Sequence, residues 1–294
     1  MAGHFGIALH GGAGVHPERD YTRVEVHLAE LISRCVKQLE AGEAAIDVVE
    51  GAVAALEESG LYVAGRGAAP NTCGEVECDA AIMDGYTGRA GGVCALQEIA
   101  YPVRAARAVM DHTPYVLLAG RGARDFALAQ NCQRIIDPKT HFCLPVGVEK
   151  AELERLDAGL VHGTVGAVAL DRTGRLAAAT STGGLLGKQA GRVGDTPITG
   201  IGNWADRQVA ISCTGIGEAF IKAGGARDVV SRMRYGGQSL SQAANAMLTD
   251  VASHNADGGL IAIDQQGQIQ MAFNSPGMKR AMAGSQIPLT VAMR

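Results

Sequence analysis

The sequence predicts a layered α/β fold, two central sheets with helices outside them. Three observations carry this. Helical patterns precede strand patterns in the first half of the chain and follow them in the second. The hairpin Val165-Gly166-Ala167-Val168-Ala169-Leu170 and Leu176-Ala177-Ala178-Ala179-Thr180 is apolar on both faces, which places it in the middle of a layered structure. Apolar residues make up 47% of the 294 positions and charged residues 19%, so the chain can pack a large core.

The elements follow in order. Phe5-Gly6-Ile7-Ala8-Leu9 reads as a buried strand running into His10-Gly11-Gly12-Ala13-Gly14. Val24, Leu28, Leu31, Ile32, Cys35 and Leu39 recur at steps of three and four, giving an amphipathic helix over about 20–39. A second helix over about 43–58 is apolar nearly all round and belongs between layers. Strands are expected over about 77–83 and 91–97, a Pro102-led helix over about 102–111, a short strand at about 115–118 and a helix at about 121–130. Residues at about 135–162 carry Asp137-Pro138, Leu144-Pro145 and a charged run, and read as an exposed, mobile linker ending at Gly163. Beyond the hairpin come a strand over about 208–213, helices over about 217–224 and 239–253, and a last hairpin around Gln265-Gln266-Gly267.

Composition excludes several classes. The net charge is −4 with no basic block, aromatics are 4% and Trp occurs once, so nucleic acid has neither an electrostatic footprint nor stacking platforms. No apolar run approaches the roughly 20 residues of a membrane span. The N-terminus lacks the pattern of a secretory signal. Seven scattered cysteines read as reduced thiols, and the expected location is cytoplasmic. Cys73 and Cys78 are too far apart for a zinc knuckle. There is no Gly-x-Ser-x-Gly elbow, no phosphate-binding loop and no His-Glu-x-x-His pattern. His10, beside its glycines, reads as a hydrogen-bonded histidine at a strand end rather than a ligand or base.

Three threonine–glycine junctions stand out: Gly163-Thr164, Thr180-Ser181-Thr182-Gly183-Gly184 and Cys213-Thr214-Gly215-Ile216-Gly217. They put hydroxyls at the ends of strands that can be neighbours, the convergence nucleophilic catalysis needs. A threonine hydroxyl requires a base. Its own α-amino group, with an unperturbed pKa of about 7.7–8.0, serves if the chain is cut before it. Arg192 can fork a carboxylate and Asp195 can pair an ammonium.

These segments, with Leu9-His10-Gly11-Gly12-Ala13-Gly14, Ala64-Gly65-Arg66-Gly67, Asp79-Ala80-Ala81-Ile82-Met83-Asp84-Gly85, Gly191-Arg192-Val193-Gly194-Asp195-Thr196-Pro197 and Phe273-Asn274-Ser275-Pro276-Gly277-Met278, resemble the plant-type asparaginases, or isoaspartyl peptidases. The resemblance runs in order over nearly the whole chain. It implies a single four-layer αββα domain of the N-terminal-nucleophile type, cut into an α subunit, 1–163, and a β subunit, 164–294. It implies an (αβ)2 assembly and a small β-aspartyl substrate, with no required cofactor. Carried across by position, Thr164 is the nucleophile, Thr182 orients it, and Thr214 with the Gly215 N–H forms the oxyanion hole. Arg192 holds the α-carboxylate; Asp195 and the Gly217 carbonyl hold the α-amino group. A structural sodium ion would lie within the backbone carbonyls of Leu56, Glu57, Ser59, Tyr62, Ala64 and Arg66. Val63 departs from the family, which has asparagine there. Two other readings stay open: a glycosylasparaginase-like hydrolase, and an uncleaved, non-catalytic binding homologue.

Overall fold

Strands whose side chains are apolar on both faces need a cover on each side, and here each sheet has a helical layer on one face and the other sheet on the opposite face. The computed structural model of the chain describes residues 3–149, 151 and 163–294. The large sheet contains β1 (Gly6–Ala13), β2 (Cys78–Asp84), β3 (Ala90–Leu96), β4 (Leu117–Ala119), β5 (Thr164–Leu170), β6 (Leu176–Thr182), β11 (Met278–Gly284) and β12 (Ile287–Ala292). Their order is β12-β11-β1-β5-β6-β2-β3-β4, antiparallel except for β3 with β4. The small sheet, β10-β9-β8-β7, comprises β7 (Asn203–Ala205), β8 (Val209–Gly215), β9 (Gly258–Asp264) and β10 (Ile269–Phe273).

Side-chain alternation with a period of two divides the core into three layers. Ile7, Leu9, Val165 and Ala167 face helices α1 (Thr22–Glu40), α2 (Ala45–Ser59) and α3 (Pro102–His112). Ala8, Val168, Leu170 and Ala178 face Ala210, Ile261 and Ile263 of the small sheet. The outer side of the small sheet, Val209, Ile211, Leu260 and Ala262, packs on α6 (Gly217–Ala223), α7 (Gly225–Arg234) and α8 (Leu240–Ser253). The expected αββα sandwich is therefore the fold.

Local signals explain the helix ends. The buried stripe of α1 is the one its spacing predicts. Gly60, at φ 67°, ends α2 in the left-handed conformation that glycine adopts without steric penalty. Ser239 and Gln242 form a reciprocal capping box at the start of α8. Pro102 opens α3, and the buried Glu57 of α2 accepts the Val103 N–H at 3.0 Å. Burial pushes the Glu57 carboxyl up to about 8, so this layer-bridging group is mostly neutral at pH 7.

Several expectations need correction. The hairpin around Gln265-Gln266-Gly267 is not the last: β11 and β12 follow and complete the large sheet beside β1. The adjacent Lys279 and Arg280 interrupt the apolar residues of β11 and hide it from a hydropathy pattern. Strand β7 and helix α7 also carried too short an apolar signal to be anticipated. Helix α4 (Gly120–Ala129) follows β4 as expected, and residues 135–149 of the expected linker carry structure of their own. They include the short helix α5 (Pro138–His141), and their backbone is tied to the body: Ile135 N–H donates to Glu98 O, Cys143 N–H to Arg66 O and Val146 N–H to Leu61 O, at 2.8, 2.8 and 3.1 Å. The rest of the expected linker, residue 150 and residues 152–162, lies outside the described residues. Among the described residues no helix is long and apolar enough to cross a membrane.

Candidate active site

Strand pairing brings the threonines together. Thr164 opens β5 and stands opposite Thr182 at the end of β6, in a register continuous to Leu170 and Leu176. A one-residue slip would turn every side chain of β5 to the other face, and both faces are buried, so the register is strongly specified. Gly163, Thr164, Thr182, Gly184, Leu185, Arg192, Gly194, Asp195, Thr196, Gly215 and Gly217 line one small pocket at this rim. Thr214 lies just behind it on β8.

The hydroxyls have defined roles. Thr182 Oγ1 donates to the Gly163 carbonyl at 3.1 Å and accepts the Gly184 N–H at 3.0 Å. Thr214 Oγ1 accepts the Ala13 N–H at 3.2 Å, leaving its own proton to give. Gly215, at φ 150°, has no room for a side chain: a Cβ would stand 2.6 Å from the Asp257 carbonyl oxygen. Gly217 is pressed on Asp195, where a Cβ would lie 2.9 Å from Oδ1.

The charged pair is built asymmetrically. Asp195 is buried, and its Oδ2 has no hydrogen-bond partner among the described residues. Burial pushes its carboxyl up to about 6. An unpartnered buried carboxylate oxygen on a pocket wall suits an incoming ammonium. Arg192 is forked by Glu218, with Nε and Nη2 donating at 2.8 and 2.7 Å. That fork holds the Glu218 carboxyl below the usual carboxylate range. A ligand carboxylate would meet a guanidinium already held in bidentate geometry by a half-exposed glutamate.

Three contacts escaped sequence reasoning. Glu218 lies 26 residues from Arg192, and nothing in its spacing marks it as the partner. Gly12, at φ 101°, lies against Gly163, where a Cβ would be 2.8 Å from the Gly163 Cα. His10 Nδ1 lies 2.8 Å from the Thr164 carbonyl oxygen, across 154 positions of sequence. His10 is buried and bonded at both ring nitrogens, the hydrogen-bonded histidine expected, although it lies within β1 rather than at its end.

Val63 packs with Ala69, Leu186 and Val148, and its Cγ2 lies 3.2 Å from where a Cβ on Gly163 would stand. The apolar side chain thus covers the residue before Thr164. The loop through Leu56, Glu57, Ser59, Tyr62, Ala64 and Arg66 has a cradle of oxygen atoms: a Cβ on Gly67 would be 2.0 Å from the Tyr62 carbonyl oxygen and 3.2 Å from that of Gly60. The carbonyls of Leu56, Tyr62, Ala64 and Arg66 each accept a hydrogen bond and keep a second lone pair. Backbone carbonyl oxygens are the donor type a hard cation takes. Among the described residues no group of three or more His, Cys, Asp or Glu side chains could hold a metal ion.

An αββα sandwich with a hydroxyl residue opening a central strand, directly after a glycine, is the layout of an N-terminal-nucleophile hydrolase. The family model described as asparaginase matches residues 4–291, and the chain belongs to that family. It is 42% identical over 296 residues to the isoaspartyl peptidase of Salmonella typhimurium, covering 94% of each chain. It is 42% identical over 295 residues to the isoaspartyl peptidase of Escherichia coli, covering 94% of this chain and 91% of the relative. The human protein named isoaspartyl peptidase/L-asparaginase is 38% identical over 288 residues, covering 94% and 92%.

Gly12→Ala should strain both its own backbone and the contact with Gly163, costing about 1–3 kcal/mol. Chemical denaturation should read that loss, and hydrogen exchange should show faster exchange at Val165 and its neighbours in β5. Unchanged stability and exchange would contradict the close packing described.

Proposed function

We propose that this protein hydrolyses β-aspartyl amides, isoaspartyl dipeptides and L-asparagine, with Thr164 as the nucleophile after autocleavage of the Gly163–Thr164 bond. The observation that carries the reading is the single pocket holding Thr164, Thr182, Arg192, Asp195, Gly215 and Gly217. The names of the relatives support the same chemistry. They also weigh against the glycosylasparaginase-like and non-catalytic readings.

In this reading the Thr164 hydroxyl attacks the Gly163 carbonyl in the uncut chain. The Gly163–Thr164 carbon–nitrogen bond breaks as the nitrogen takes up the hydroxyl proton, which frees the Thr164 amine and leaves an ester. Water then hydrolyses the ester to a Gly163 carboxylate and a free Thr164 hydroxyl. In the mature enzyme that neutral amine takes the hydroxyl proton as Oγ1 attacks the substrate side-chain carbonyl. Thr214 Oγ1–H and the Gly215 N–H stabilise the oxyanion. The amine then returns the proton to the leaving nitrogen as the carbon–nitrogen bond breaks. Water attacks the ester by the same route and releases aspartate. Arg192 and Asp195 grip the α-carboxylate and α-ammonium, with the Gly217 carbonyl as the second acceptor.

Three further assignments rest on the family resemblance. A sodium ion would be held by the carbonyls of Leu56, Glu57, Ser59, Tyr62, Ala64 and Arg66 and would stiffen the loop that carries Val63. Two αβ units would assemble as (αβ)2, a role for which the exposed Tyr115, Val116 and Leu117 beside an edge strand are suited. A cytoplasmic location agrees with seven unpaired cysteines.

Intact-mass spectrometry should find a fragment beginning at Thr164, and Thr164→Ala should abolish both cutting and turnover. Cleavage elsewhere, or full activity in the uncut chain, would overturn the mechanism. Ammonium binding needs ionised Asp195, whose carboxyl protonates near 6 in the free enzyme. Protonation of the Thr164 amine should lower kcat/KM about tenfold per unit below about pH 7.7, and below about 6 the loss of the Asp195 carboxylate should steepen the fall to about a hundredfold per unit. The added steepening should vanish with a substrate lacking the α-amino group; its persistence there would assign it elsewhere.

Val63 should favour dipeptides over asparagine. It replaces a polar side chain near the nucleophile, and one lost hydrogen bond costs roughly 0.5–1.5 kcal/mol. A dipeptide can offset that through contacts of its second residue, while departing ammonia makes none. Val63→Asn should raise kcat/KM for asparagine relative to β-aspartyl dipeptides by about two- to tenfold; an unchanged ratio would refute the assignment.

A further inference from the structure

A buried chain of hydrogen bonds crosses from the small sheet to the large one and ends on Thr164. Asn203 Nδ2–H on β7 donates to Thr180 Oγ1 on β6 at 3.0 Å. Thr180 and Ser212 hydroxyls lie 2.8 Å apart, and Ser212 Oγ on β8 lies 2.8 Å from His10 Nε2 on β1. His10 Nδ1 then reaches the Thr164 carbonyl at 2.8 Å. Asn203, Thr180, Ser212 and His10 are all fully buried.

The direction of every proton follows from the end of the chain. A backbone carbonyl only accepts, so His10 Nδ1 carries the proton. In the neutral ring Nε2 is then an acceptor, and the Ser212 hydroxyl donates to it. Ser212 Oγ in turn accepts from the Thr180 hydroxyl, whose alternative acceptor, the Gly202 carbonyl, is farther away at 3.4 Å. The ring is neutral for a physical reason. It has no carboxylate partner, burial opposes its charge, and the Lys279 ammonium opposes it further; together these hold its pKa down to about 3.

The backbone is shaped around this contact. Gly166 stands opposite His10 in the β1–β5 register. A Cβ there would lie 2.0 Å from Ser212 Oγ and 2.4 Å from His10 Nε2. Glycine in the middle of a buried strand is unfavourable by itself. Here it makes room for the imidazole–hydroxyl bond.

We propose that His10, held as the neutral Nδ1–H tautomer by the Thr164 carbonyl and braced at Nε2 by Ser212 and Thr180, is a positioning residue for Thr164. This rests on the reading of Thr164 as nucleophile. Once the preceding bond is cut, residue 164 loses its covalent anchor on the amino side. A bond to its carbonyl then restrains rotation about Cα–C. It thereby sets where the amine and hydroxyl lie relative to the oxyanion donors Thr214 and Gly215. His10 touches no reacting atom and transfers no proton.

The test uses the full-length, matured protein. His10→Leu removes the donor, while His10→Asn keeps an N–H near the Nδ1 position. His10→Leu should lower kcat by about 10–100-fold with KM within about twofold, as expected of misplaced rather than missing chemistry. His10→Asn should recover at least about a tenfold part of that loss. Equal activity of the two variants, or a rise in KM alone, would overturn the proposal. Nitrogen-15 NMR of histidine-labelled protein gives a readout independent of turnover. His10 should remain the neutral Nδ1–H form between about pH 5.5 and 8.5, and Ser212→Ala, which removes the brace at Nε2, should keep that tautomer while lowering kcat. An imidazolium or Nε2–H form in the native protein would refute the assignment even if His10→Leu fails to fold. Failure of the native protein to cleave β-aspartyl substrates would instead refute the enzymatic reading, with the tautomer measurement still deciding the hydrogen-bond chain.

Discussion

Strand β5 is covered on both faces, and the position of Thr164 depends on that. Val165 and Ala167 face the helical layer while Val168 and Leu170 face the second sheet. Such a strand has one depth in the sandwich and one register against its neighbours. Its first residue therefore stands opposite Thr182 with little freedom to shift. Gly163 falls just outside the strand, between Gly12 and Val63, at the rim where the pocket opens.

The charges around the pocket are prepared unequally for a zwitterion. Asp195 has a buried oxygen without a partner among the described residues, so an ammonium would relieve an unfavourable burial as well as gain a bond. Arg192 is already satisfied by Glu218, which is about half exposed. A ligand carboxylate would exchange one fork for another, and Glu218 would return to water. On the proposed reading, the amino group then contributes more to affinity and the carboxylate more to orientation.

The layer between the sheets is mainly small and aliphatic, yet His10, Thr180, Asn203 and Ser212 lie in it. Linked polar groups are tolerated there because each makes at least one bond in a medium that strengthens it, although Asn203 Oδ1 has no partner among the described residues. Glycine at position 166 and alanines at 8, 178 and 210 leave the two sheets close enough for the chain to cross. Packing and hydrogen bonding therefore support one another at the site.

Much of this was legible from residue types in order along the chain. The spacing of Val24, Leu28, Leu31 and Ile32 determined a helix, and two-faced apolar strands determined a layered core. Hydroxyl–glycine junctions at 163–164, 180–184 and 213–217 marked the strand ends where the pocket lies. Local periodicity and turn chemistry act between near neighbours, so a single chain displays them. The contact of His10 with Thr164, the fork of Glu218 on Arg192 and the pairing of β11 with β1 join positions far apart in sequence. Only the tertiary structure decided those, because stacking the layers and fixing the strand register determine which distant side chains meet.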